Sequence, residues 1–136
     1  PLADSRGSLQ PPVDEPVAHE FGATYGGGSL IRKGLSYEPN PGNPVRAIYP
    51  GRVVFADWLR GSGLLIVLDH GQGYMSLYAH NEALTVNSGD WVDAGEMLAR
   101  SGTNSSDRNV GLYFEIRRNG EPQDPTAWLR PAPSQL

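Results

Sequence analysis

The chain has 136 residues, a formal charge of −4 and no cysteine, which leaves room for one domain and excludes thiol catalysis, thiolate metal sites and disulfides. Charged residues make up 19% and hydrophobic ones 38%, a balance that excludes an intrinsically disordered segment. The arginines are scattered, Lys33 is the single lysine, and no run of eighteen apolar residues occurs, so neither a nucleic-acid partner nor a membrane-spanning helix is expected.

In chain order, residues 1–12 carry Pro11-Pro12 and read as a loose polar lead-in. Residues 13–130 read as the domain and residues 131–136 as a C-terminal tail. Seventeen glycines and twelve prolines punctuate short apolar runs, which predicts an all-β fold of strands and tight turns with little or no helix. Residues 45–49 alternate, Pro50-Gly51 turns the chain and residues 52–58 return, predicting a first hairpin. After a turn at Arg60-Gly61-Ser62-Gly63, residues 64–68 are apolar throughout, as suits a strand covered on both faces at the centre of a sheet. His70-Gly71-Gln72-Gly73 then turns into residues 74–80. Shorter strands follow around the polar turns at 87–90 and 93–96. A loop over 102–109 leads into residues 110–118, which Asn119-Gly120 closes with a strong hairpin signal.

Alternation assigns faces to two of these strands. In residues 74–80 it predicts Met75, Leu77 and Ala79 on the core side and Tyr74, Ser76, Tyr78 and His80 on a polar face. In residues 111–117 it predicts Leu112, Phe114 and Ile116 inside, with Gly111, Tyr113, Glu115 and Arg117 opposite. If the two strands are neighbours, Tyr78, His80, Tyr113 and Arg117 line one surface.

Catalytic signatures are sparse. A zinc site needs three or four converging ligands, yet His19, His70 and His80 fall in none of the usual metal-binding spacings. No serine sits in a nucleophile elbow, and Asp90 and Asp93 lie in turns, where aspartate is favoured for local hydrogen bonding. Gly26-Gly27-Gly28 and Gly61-Ser62-Gly63 lack the lysine and helix of a phosphate loop. His70, in Asp69-His70-Gly71, reads as a turn residue, whereas the alternation turns His80 toward the polar face.

Six short strings nonetheless fall in one familiar order. They are Lys33-Gly34-Leu35; Val45, Ala47, Gly51 and Val53; Asp69-His70-Gly71; Leu77-Tyr78-Ala79-His80; Gly89-Asp90 with Val92, Ala94 and Gly95; and Leu112-Tyr113-Phe114-Glu115. From about residue 7 to 129 the chain resembles a LytM domain, the lysostaphin-like zinc endopeptidase family that cuts peptide cross-links of bacterial cell walls. Residues 55–61 and 112–118 look more narrowly like those of EnvC-type murein hydrolase activators. The resemblance implies a compact antiparallel, barrel-like β-sandwich of the LytM (duplicated hybrid) type.

It also implies a lost active site. Matching the family's H-x-G-x-D on Gly34 puts Arg32 and Ser36 at two ligand positions. Matching on Phe114-Glu115 puts Gly111 and Tyr113 where H-x-H belongs, and only His80 remains of the catalytic set. A divalent ion 4 Å from a fixed arginine is repelled by about 8 kcal/mol at an effective dielectric of 20, so the expectation is a metal-free, cofactor-free, non-hydrolytic domain.

What the resemblance implies instead is binding. A groove lined by Arg32, Lys33, Ser36, Leu65, Tyr78, His80, Tyr113 and Arg117 would engage and activate a periplasmic N-acetylmuramoyl-L-alanine amidase for peptidoglycan splitting in cell division. In this expectation Lys33 and Arg117 are the charged contacts and Tyr78 and Tyr113 the aromatic anchors. Such activators reach the FtsEX division complex through a coiled coil, and this sequence has no heptads. Two other readings stay open at this stage: a peptidoglycan-binding module that activates nothing, and an active zinc endopeptidase.

Overall fold

A computed structural model describes residues 1–131, so the tail expected over 131–136 lies, apart from Pro131, outside the described residues. Twelve strands follow a one-turn 3-10 helix at Leu2–Ser5. They are β1 Val17–His19, β2 Thr24–Tyr25, β3 Leu30–Ile31, β4 Leu35–Tyr37, β5 Pro44–Arg46, β6 Gly51–Leu59, β7 Gly63–Gly71, β8 Tyr74–Leu84, β9 Trp91–Val92, β10 Met97–Ser101, β11 Tyr113–Arg118 and β12 Glu121–Gln123. A second 3-10 turn, Pro125–Ala127, is capped by Asp124, whose carboxylate accepts the Thr126 N–H. The all-β expectation holds: the only helical segments among the described residues are these two short turns, and none is long and apolar enough to cross a membrane.

The main sheet is antiparallel and runs β1-β4-β11-β8-β7-β6-β9. The central position of β7 and β8 follows the sequence expectation, as do the turns that join them. Gly61 and Gly63 take positive φ at the β6–β7 turn, and Asn119 and Gly120 do so at the β11–β12 turn. The far end of β8 carries a branch of this sheet. His80 takes a φ of +67°; Asn81 still pairs with Leu64 of β7, and Asn81, Ala83 and Leu84 also pair with β10, which pairs in turn with β5. Val45, Leu98 and Ala99 from that branch join Val53, Ile66, Leu68, Phe114 and Ile116 in one core.

Three expectations are corrected. Residues 45–49 do not form a hairpin with 52–58, because both backbone edges of that segment are taken elsewhere. On one edge Val45 pairs with Ala99, the Ala47 N–H donates to the Glu96 carbonyl and the Ala47 carbonyl accepts from Gly95; on the other the Arg46 N–H donates to the Pro12 carbonyl. Residues 1–12 are not a loose lead-in. Leu2 and Leu9 are buried in the core beside Trp128, and the Gly7 and Leu9 N–H groups donate to the Trp128 carbonyl.

The third correction concerns β8, whose faces are the reverse of the prediction: Tyr74, Ser76 and Tyr78 point inward and Met75 outward. Two hydroxyls can be buried because each is satisfied. Tyr78 Oη accepts the Ile48 N–H at 3.2 Å and lies 2.9 Å from Ser76 Oγ, which lies 2.7 Å from His70 Nε2. His70 Nδ1 lies 2.9 Å from the Pro50 carbonyl, which can only accept, so Nδ1 holds the proton and Nε2 is the accepting nitrogen. Burial lowers the His70 pKa and favours this neutral form. The Tyr78 ring packs on Phe114 with centroids 5.3 Å apart, adding the apolar gain.

Candidate functional site

Register between β11 and β8 lays out the outward face of the sheet. Tyr113 pairs with Ala79, Glu115 with Leu77 and Arg117 with Met75. On the other side of β11, Tyr113 pairs with Ser36 of β4. Cross-strand partners share a face, so Ser36, Tyr113, Glu115 and Arg117 stand together outside the core. Leu112, Phe114 and Ile116 are fully buried on the opposite side, as the alternation in this strand predicts.

Glu115 organises the site. It is only 5% exposed. One carboxylate oxygen accepts from Arg117 Nε at 2.6 Å and the other accepts the Tyr113 hydroxyl at 2.5 Å. The guanidinium compensates the buried negative charge, and both oxygens are hydrogen-bonded, which is what a buried carboxylate requires. Burial, and then the bond to Glu115, push the Tyr113 phenol well above its usual range, so it stays a neutral donor. The same carboxylate raises the Arg117 pKa.

Gly34 closes the site from above. A Cβ there would lie 2.3 Å from the Phe114 carbonyl oxygen, 2.8 Å from Glu115 Cγ and 3.1 Å from Tyr113 Cζ. Only a hydrogen fits that gap. The chain just before Gly34 brings Arg32 and Lys33 to the rim. Arg32 is half-buried with its guanidinium 4.5 Å from the centroid of Tyr25, on the β2–β3 hairpin, and Lys33 is exposed. His80 sits half-buried with its ring 6.4 Å from that of Tyr113, and burial lowers its pKa. Leu65 lies in β7 on the outward side of Ile66, yet it is 6% exposed.

The structure therefore brings Ser36, Tyr113 and Arg117 onto one face, with His80 beside Tyr113 and Arg32 and Lys33 at the rim beside Gly34. Leu65 belongs to the same outward side. Tyr78 does not: it is fully buried on the core side and is no aromatic anchor for a partner, because its hydroxyl and ring are committed to Ile48, Ser76 and Phe114. Glu115 was not among the expected site residues, although the alternation of β11 puts it on the face of Tyr113 and Arg117.

A zinc ion does not fit these side chains. Three protein ligands must converge on it, and among the described residues no group of three His, Cys, Asp or Glu side chains does so. The carboxylate at the centre is already held by a cation and a phenol.

A model of peptidase family M23 matches residues 31–125. The chain belongs to peptidase family M23. The M23 chain is 41% identical over 128 residues to the murein hydrolase activator EnvC of Escherichia coli (strain K12), covering 94% of this chain and 30% of that protein. It is 37% identical over 119 residues to the murein hydrolase activator NlpD of Salmonella typhimurium (strain LT2), covering 87% and 30%. Its fold matches the antimicrobial peptidase lysostaphin from Staphylococcus simulans with a TM-score of 0.78 at 28% identity, covering 92% of this chain and 54% of that one. The M23 chain thus spans about a third of the length of these curated relatives.

Proposed function

We propose that this chain is a non-catalytic M23 domain that docks on and activates a periplasmic, zinc-dependent N-acetylmuramoyl-L-alanine amidase, promoting peptidoglycan splitting in cell division. The observation that carries the reading is the Tyr113–Glu115–Arg117 cluster under Gly34. Where an M23 peptidase needs open ligands for a metal, this chain has a saturated, neutralised hydrogen-bond network with Arg32 and Lys33 at its rim. Arg32, Ser36 and Tyr113 occupy the replaced ligand positions. Two relatives similar over most of the chain are named murein hydrolase activators, which supports the same reading.

Activation without chemistry requires only differential binding. If the amidase is held closed by a segment of its own, a domain that binds the open form more tightly by about 5.5 kcal/mol moves the equilibrium from 1:99 to 99:1. The rigid, hydrogen-bonded floor of the site is ordered before a partner arrives, which lowers the entropy cost of docking. Lys33 offers a charged contact and Tyr113 an aromatic edge. Calorimetric titration of the chain against each periplasmic amidase of its source organism should give a saturable one-to-one complex with at least one of them. No complex with any amidase overturns the reading.

A further inference from the structure

The row of cross-strand partners that contains Arg117 continues from β11 to the sheet edge at β9. Arg117 pairs with Met75, Met75 with Asp69, Asp69 with Arg52, and Arg52 with Trp91 on the edge strand β9. Four strand spacings separate the ends of this row, roughly 19 Å. At the far end Arg52, Asp69, His70, Trp91 and Asp93 line an open cleft of about 630 Å³.

Trp91 is 76% exposed, whereas Trp128 is 1% exposed in the core. A single exposed apolar side chain is ordinary, but this indole borders a cleft lined by charged groups. Strand alternation supplies its direction: Val92 is buried at 4%, which turns Trp91 outward. Turns on both sides hold the ring's backbone in place. Asp90 accepts the Asn87 N–H at 2.8 Å and Glu96 accepts the Asp93 N–H at 3.2 Å. The Val53 N–H also donates to the Asp90 carbonyl and the Gly89 N–H to the Val53 carbonyl.

The polar groups around the ring are equally well positioned. Asp69 Oδ1 accepts the Gly71 N–H at 2.9 Å, which steadies the carboxylate and leaves Oδ2 for a ligand. Arg52 is exposed opposite Asp69, yet among the described residues the one salt bridge joins Arg117 to Glu115. His70 forms a wall whose two ring nitrogens are already engaged.

An exposed indole flanked by an unpaired arginine and two aspartates is the chemistry of carbohydrate recognition. The C–H face of a pyranose stacks on the ring, while planar carboxylate and guanidinium groups take adjacent hydroxyl or acetamido groups. Other ligand classes fit less well. One arginine against two aspartates is a poor phosphate site. A peptide adding to the sheet edge needs a longer strand than the two residues of β9.

We propose that the Trp91–Arg52–Asp69 cleft binds a glycan of N-acetylated hexosamines, as in the sugar strand of peptidoglycan, at a site separate from the Glu115 cluster. Its place in the same row as Arg117 would hold a sugar strand beside whatever docks there. This does not rest on the amidase reading, since sugar binding is measured with the chain alone.

The test is calorimetric titration with chitotetraose and with peptide-free glycan strands prepared from peptidoglycan. Wild-type chain should bind both. Trp91→Ala should weaken binding by about tenfold or more, equivalent to at least about 1.4 kcal/mol, with an unchanged melting midpoint, and Arg52→Ala, which keeps the ring, should also weaken it. Trp58→Ala is the control. That ring is 62% exposed at the β6–β7 end, and its loss should leave sugar affinity intact. No binding by wild type, wild-type affinity in Trp91→Ala, or an equal loss in Trp58→Ala each overturns the proposal.

Discussion

Lys33→Glu is expected to abolish amidase stimulation while leaving the melting midpoint where it is. The side chain is exposed, and among the described residues no salt bridge involves it. Folding therefore loses nothing when the charge reverses. Docking loses a great deal, because a like-charge juxtaposition across an interface costs several kcal/mol, equivalent to a hundredfold or greater loss of affinity. Arg117 cannot serve the same purpose. Its guanidinium neutralises the buried Glu115 carboxylate at 2.6 Å, so Arg117→Glu sets two carboxylates together and destabilises the domain whatever its partner. Tyr78→Phe offers the opposite contrast. It strips a partner from the Ile48 N–H and lowers stability, yet the folded fraction should stimulate normally. Retained stimulation by Lys33→Glu, measured as dye release from labelled cell wall, would place the docking surface away from this rim.

The largest stability effect is expected at Gly34. Its Cα lies so close to β11 that a methyl group would sit 2.3 Å from the Phe114 carbonyl oxygen. That oxygen belongs to a strand paired on both sides, with β4 and β8, and has nowhere to retreat. Gly34→Ala must push β4 off β11, opening the lid over Tyr113 and Glu115. Overpacking against a fixed backbone atom belongs at the upper end of the usual range, about 3 kcal/mol, or roughly 10 °C in the melting midpoint of a domain this size. The requirement is for space, since Gly34 is not among the glycines with positive φ. A melting curve of Gly34→Ala that overlays the wild type would mean that β4 does not lie against β11 as described.

What the sequence made legible was local. The turns at Gly61, Gly63, Asn119 and Gly120 were readable because positive φ demands particular residues there. The faces of β11 were readable because Leu112, Phe114 and Ile116 alternate with polar neighbours and are all buried. β8 misled for a physical reason. Tyr74, Ser76 and Tyr78 look polar in a one-dimensional pattern, but the hydroxyls of Ser76 and Tyr78 are satisfied by His70 and by the Ile48 backbone, groups that only the fold brings near.

The same limit hid the partner of β5. Val45 and Ala47 alternate as a hairpin strand would, and nothing local says that residues 95–99 will reach them first. Leu2 and Leu9 are single apolar residues without period, so their burial beside Trp128 left no sequence trace. Of the site, the Tyr113, Glu115 and Arg117 face was readable by alternation, whereas the pairing of Glu115 with both neighbours depends on side-chain geometry that alternation does not specify.

The central claim is that an M23 pocket has been turned from cutting to docking, and dye release from labelled peptidoglycan tests it most directly. The chain alone, with or without added zinc, should release no dye, and adding it to its amidase partner should raise release well above that of the amidase by itself. Zinc-dependent, chelator-sensitive release by the chain alone would contradict the account.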